Sequence, residues 1–188
     1  MTFENFLETV NITDSEKQIL TTFRNSIENP GNTCRKIFIH GCAGIGKTML
    51  IKNLLSDTAI PVIYWGIEPE DKYISCKTSS ELLEAVKEHE NCVVFMDNAM
   101  LMMKDPATIW DLDKEDEKRL YEILNIVNES KQRSIVLISD DILHAVGIMD
   151  RMNVKIKLDL PSIKSKTNFI DQIAHDLPEK LVDYLSFS

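Results

Sequence analysis

The residues from Gly41 to Thr48 read GCAGIGKT and satisfy the pattern G-x-x-x-x-G-K-[ST] without a mismatch. A short apolar run at 36–40 precedes them, and a segment with helical spacing of its apolar residues follows at 47–55. Strand, glycine-rich loop and helix in that order form a phosphate-binding unit, which confines the chain to folds built on a sheet with helices packed over it. The glycines let backbone N–H groups turn inward toward phosphate oxygens, and the helix N-terminus adds its partial positive charge. Lys47 is expected to reach the β- and γ-phosphates of ATP, and Thr48 to place its hydroxyl on Mg²⁺. Nucleotide contact is expected along the whole loop: Gly41, Cys42, Ala43, Gly44, Ile45, Gly46, Lys47, Thr48 and Met49. Cys42 reads either as a redox-sensitive thiol or as a small residue that fits the turn.

The rest of the chain alternates in the way such a sheet needs. Four more β-rich runs lie at 61–65, 92–96, 134–138 and 154–160, and the middle two are continuously apolar, as strands buried on both faces should be. Helical patterns at 79–89 (Leu82, Leu83, Val86) and 114–128 (Leu120, Ile123, Leu124, Val127) separate them. Residues 3–27 carry a helical rhythm, with Ser15 or Asp14 placed to cap the second of two helices and a turn cluster at 29–32 to end it. The fold predicted is α/β: three layers around a parallel five-stranded sheet, with N-terminal helices and a short C-terminal tail of two small helices that divide near Leu177 and Pro178. At 188 residues there is room for one core and no second independent one.

Acids and one arginine stand at the ends of these elements. Asp97 follows the apolar run 92–96, at the carboxyl end of a buried strand, where open α/β sheets bind their ligands. It fits a Walker B aspartate that holds Mg²⁺ through water, so Thr48 and Asp97 form the predicted metal set. A helix-capping acid is the plainer alternative. Next comes Asn98, where ATPases that activate water with a glutamate directly after this aspartate have their base. An amide orients water but accepts no proton, so hydrolysis is expected to be slow or to depend on another group. The run 134–138 ends in Ser139, Asp140 and Asp141, each able to present a hydrogen-bonding group to a γ-phosphate or to cap a loop. Arg151 falls between a helical stretch, 142–149, and the final strand, and reads either as an arginine finger or as a surface charge.

Charge and composition close off other classes. With 21 Lys and Arg against 30 Asp and Glu, the net charge of −9 repels nucleic-acid phosphates, so such contact would need a local basic patch or a partner. No apolar run reaches the roughly 18 to 20 residues of a membrane span, and the first eleven residues lack a signal-peptide pattern, which points to the cytoplasm. The four cysteines are scattered without a C-x-x-C pair, so reduced thiols are expected in place of a zinc site or a disulfide framework. Residues 99–110 carry Met100, Leu101, Met102, Met103, Ile109 and Trp110, read as sheet packing with an adaptable interface as the alternative.

Taken in order, the helical preamble, GCAGIGKT, CVVFMD, SIVLISD and Arg151 ahead of VKIKLDLP resemble the AAA+ ATPases over residues 12–161. Within that superfamily they are most similar to the branch of bacterial replication initiators and helicase loaders. The resemblance implies a sensor role for Asp140, a finger acting in trans for Arg151, and a division into a core at 1–161 and a short, incomplete helical lid at 162–188. It has two departures: Asn98 in place of glutamate, and a tail with no arginine to serve as the family's second sensor. The leading functional reading is an ATP-binding protein with slow or partner-dependent hydrolysis. It would work inside an assembly, with itself or another protein, and by analogy in DNA replication or a related DNA transaction. A module that holds ATP or ADP without hydrolysing it is the alternative, and a small nucleotide kinase is a third reading. The segment 140–166 weighs against the kinase because Arg151 is its only arginine.

Overall fold

In the computed structural model the described residues are 3, 7, 12–29, 35–66, 70–98, 113–140 and 146–158. All strand pairs of the sheet run parallel. In chain order the elements are α1 (Asp14–Glu28), β1 (Lys36–His40), α2 (Lys47–Leu54), β2 (Val62–Trp65), β3 (Ile74–Cys76), α3 (Ser79–Glu88), β4 (Cys92–Asp97), α4 (Lys114–Glu129), β5 (Arg133–Ser139), α5 (Val146–Met149) and β6 (Val154–Lys157). The sheet order is β3-β2-β4-β5-β1-β6, so β5 is inserted between the strand that ends in Asp97 and the strand that leads into the glycine-rich loop.

The sheet has six strands and not the expected five. The additional one, β3, is a three-residue edge strand whose first two residues are exposed, and so short a segment leaves no periodicity to read. The residue that caps α1 is Thr13, not Ser15 or Asp14. The Thr13 hydroxyl accepts from the Glu16 backbone while the Glu16 carboxylate accepts from the Thr13 N–H, which satisfies two otherwise orphaned groups at once. β6 ends at Lys157, short of residue 160. The proposed tail at 162–188, the methionine-rich segment and Asp141 lie outside the described residues, as do 142–145 at the start of the expected helical stretch.

The two faces of the sheet hold separate apolar layers. On one, Ile37, Ile39, Val93, Phe95, Val136 and Ile138 meet Leu20 and Phe23 of α1 and Leu50, Ile51 and Leu54 of α2. On the other, Phe38, Val94, Met96, Ile135 and Leu137 meet Leu82 and Val86 of α3 and Leu120, Ile123, Leu124 and Val127 of α4. The three expected layers follow from strict alternation along the strands combined with spacing of three and four along the helices. Residues 93, 95 and 97 share a face, so the face that packs on α2 ends, at the carboxyl edge of the sheet, in the Asp97 carboxylate.

Candidate functional site

β1 delivers the chain to the glycine-rich loop at the carboxyl edge, and two glycines make the return possible. Gly41 has φ 149°, and a Cβ there would overlap the carbonyl oxygen of Leu158, whose own N–H donates to His40 O at 2.8 Å. Gly46 stands at the N-cap of α2 with φ 92°, a left-handed conformation that glycine adopts without steric cost. The helix then opens with Lys47, Thr48 and Met49. The Lys47 and Thr48 side chains point into the loop region, whereas the Met49 side chain is 55% exposed.

Lys47 is buried, and its ammonium donates to Gly41 O at 2.9 Å and to Cys42 O at 2.8 Å. The third direction is filled by an ion pair with Asp140, the first residue past β5. An ammonium has three N–H donors; loop carbonyls engage two of them and the Asp140 carboxylate adds its opposite charge, in the positions that phosphate oxygens would otherwise contest. Thr48 Oγ1 donates to Asp97 Oδ1 at 3.0 Å, across from α2 to the end of β4. Burial pushes the Asp97 carboxyl above the usual carboxylate range. The Thr48 hydrogen bond, the Lys52 charge and the Tyr64 hydroxyl pull it back, and the Asp140 charge raises it again.

Asn98 continues from Asp97 in the left-handed region, φ 53°, which asparagine tolerates better than other side-chain-bearing residues. Its Oδ1 is buried and has no hydrogen-bond partner among the described residues. Cys42 is exposed on the loop, while Cys76 and Cys92 are buried away from it. Among the described residues, no three His, Cys, Asp or Glu side chains converge as a ready-made metal cluster. A hydroxyl and a carboxylate are nonetheless the hard oxygen set that suits Mg²⁺, an ion that keeps several waters and shares phosphate oxygens.

Four of the five residues expected to do chemistry are thus drawn to one edge: Lys47, Asp97, Asn98 and Asp140. Arg151 is at the other. It lies past α5, where its guanidinium covers the Tyr121 ring at 4.5 Å and donates to Asn125 Oδ1 at 3.3 Å. The neighbouring Asn153 N–H donates to Lys36 O, at the amino end of β1. Two residues at the carboxyl edge escape a reading of the sequence. Lys52, one turn beyond Thr48, adds its charge near Asp97 while paired with Glu70. Tyr64 Oη donates to Asp97 Oδ2 at 3.4 Å. The signal for Tyr64 is a pairing and not a motif, since Tyr64 on β2 sits in register with Phe95 on β4.

Comparison with known proteins bears on this arrangement. The chain is similar to the chromosomal replication initiator protein DnaA of Mesoplasma florum, with 29% identity over 135 residues that make up 70% of this chain. It spans 29% of the length of that relative. No helix among the described residues is long and apolar enough to cross a membrane. Residues 37–160, from the second residue of β1 to beyond β6, match the family described as ATPase family associated with various cellular activities (AAA), and since that match takes in well over half of its length, the chain belongs to this family of P-loop ATPases.

Proposed function

We propose that this chain binds ATP with Mg²⁺ at the carboxyl edge of its sheet, hydrolyses it slowly on its own, and passes its nucleotide state to an assembly. The observation that carries the reading is the meeting of Thr48 and Asp97 at 3.0 Å beside the buried Lys47 ammonium. In the bound state, backbone N–H groups of Gly44 to Thr48 cradle the phosphates, and Lys47 exchanges its carbonyl partners for phosphate oxygens. Thr48 and Asp97 would hold Mg²⁺, which neutralises charge on the phosphates when bound. Asp140, in contact with Lys47, would sense whether the γ-phosphate is present.

Slow hydrolysis follows from Asn98. Its amide orients a water through Oδ1 but cannot take the proton, so the general-base contribution of roughly 10² to 10⁴ in rate is missing. The same residue supports the second reading, a module that holds nucleotide without turnover. Arg151 would act on a neighbouring molecule's nucleotide, because β1 is five residues long and separates it from this chain's own loop by about 16 Å at roughly 3.3 Å per residue. The assembly would serve DNA replication or a related transaction, as the name of the Mesoplasma relative suggests. At net charge −9, contact with DNA would pass through a partner or a local patch.

Mass in solution, measured with ATP, with ADP and with neither, tests the proposal. Assembly that depends on the nucleotide is the expected result. A monomer under all three conditions, with nucleotide bound, would favour the module.

A further inference from the structure

On the face that packs against α2, the ring of Tyr64 lies beside that of Phe95, with centroids 5.1 Å apart, as the register of the two strands requires. Asp97 is two residues further along β4. A tyrosine hydroxyl reaches that carboxylate from Tyr64 only if the ring leans forward along its own strand, over residue 66, by about 6.6 Å. Residue 66 is glycine, and a Cβ there would overlap Tyr64 Oη and its ring. The ring is buried in a three-ring cluster, with the Tyr73 centroid 5.9 Å away and Tyr73 itself against Phe95 at 6.4 Å, so it has little freedom to swing elsewhere.

We propose that Tyr64 is a positioning residue for the metal site: its hydroxyl holds Asp97 Oδ2, fixes the rotation of the carboxylate and presents Oδ1 beside Thr48, and Gly66 is small so that the ring can make that reach. The inference rests on the assignment of Thr48 and Asp97 to Mg²⁺ given above. Its physical basis is that a metal-binding carboxylate left free to rotate must lose that freedom when the ion arrives. A hydrogen bond to the oxygen facing away from Thr48 removes the freedom beforehand. Outer hydrogen-bond partners of metal ligands typically contribute 10- to 100-fold in metal affinity. At 3.4 Å the bond is longer than the O–H···O mode of about 2.8 Å, which places the expected effect near the lower figure.

The test is the ratio of nucleotide affinities with Mg²⁺ and with excess EDTA, measured by calorimetry for the full chain. Tyr64→Phe keeps the ring packing and removes only the hydroxyl. It should cut the Mg²⁺-dependent gain in affinity about tenfold while leaving EDTA affinity and the melting temperature unchanged. Gly66→Ala should produce the same loss by displacing the hydroxyl, and the double variant should lose no more Mg²⁺-dependent gain than Tyr64→Phe alone. A Tyr64→Phe protein with the full Mg²⁺ gain of wild type would overturn the inference. So would a loss of the same size with and without Mg²⁺, since that would mark a merely structural role. If wild type itself gains nothing from Mg²⁺, the metal assignment fails and takes this inference with it.

Discussion

The two ends of β1 gather charge in different company. At the carboxyl end the Lys47 ammonium is closed in by two carbonyls and Asp140, with Asp97 nearby. At the amino end Lys36 and Arg151 stand close enough that Lys36 is held below the usual lysine range, through partial burial first and the Arg151 charge second. The partners given to these two cations among the described residues are neutral: Asn128 Oδ1 for Lys36, and Asn125 Oδ1 and the Tyr121 ring for Arg151. Lys36, Arg151, Asn125 and Asn128 line a cavity of about 300 Å³ with Asn153, Met152 and the carboxylate-bearing Asp150, which pairs with Lys155. One end thus has its ammonium enclosed by carbonyls and a carboxylate, whereas the other sets two cations whose own partners are neutral beside a carboxylate already paired with Lys155. Under the function proposed above, the first end would act on the chain's own nucleotide and the second on a neighbour's.

That contrast breaks most visibly at Arg151. Under conditions where the protein assembles, Arg151→Ala should lower the stimulated ATPase rate by about 10³, the lower range of an arginine finger, while monomer ATP affinity stays within twofold. Mixing this variant with Lys47→Ala should restore part of the rate, since one intact composite site can form. An equal loss in dilute monomer would mean that both ends act in cis. Lys47→Ala alone comes next. It should weaken Mg-ATP binding by about 10²-fold or more, because charge-assisted bonds to phosphate are lost from a buried position; wild-type affinity in a titration would remove the phosphate-loop assignment.

A smaller effect is expected at Asn98. Asn98→Glu supplies the missing base, but the left-handed backbone at φ 53° costs a residue other than Gly or Asn about 1 kcal/mol. The net gain in basal turnover should be about tenfold, from a wild-type rate well below the roughly 10 s⁻¹ median of enzymes. An unchanged rate would place the limiting step elsewhere. Finally, thiol labelling compares the carboxyl edge with the sheet interior. Burial pushes both Cys76 and Cys92 up to about 11, with Glu81 adding to the shift at Cys76 and Arg133 opposing it at Cys92. At pH 8 both should remain thiols and resist iodoacetamide, while exposed Cys42 reacts and ATP protects it. Mass-spectrometric detection of Cys92 alkylation ahead of Cys42 would contradict this order.

What the sequence disclosed and what it withheld divide along the same physical line. GCAGIGKT is legible because its constraints are local: φ values of 79° at Gly44 and 92° at Gly46 favour glycine whatever surrounds them. CVVFMD and SIVLIS are legible because strands buried on both faces must be apolar throughout. β3 was hidden, since three residues at a sheet edge take their conformation from β2 and not from their own pattern. The Tyr64 to Asp97 contact was hidden too, because it depends on a register between strands some thirty residues apart. The Arg151 stack on Tyr121 likewise joins two elements that only tertiary packing brings together.

The position of β1 in the sheet has a consequence for how the protein comes into being. Its hydrogen-bonded neighbours are β5 and β6, and Lys36 pairs with Ile135, about a hundred residues later. At a translation rate of roughly 5 to 20 residues per second, the nascent strand waits about 5 to 20 seconds for a partner. Until then the loop it carries has no fixed floor, and Lys47 has no Asp140. Nucleotide capture should therefore begin only after β5 has left the ribosome, and ribosome-bound chains halted before residue 133 should fail to retain labelled ATP.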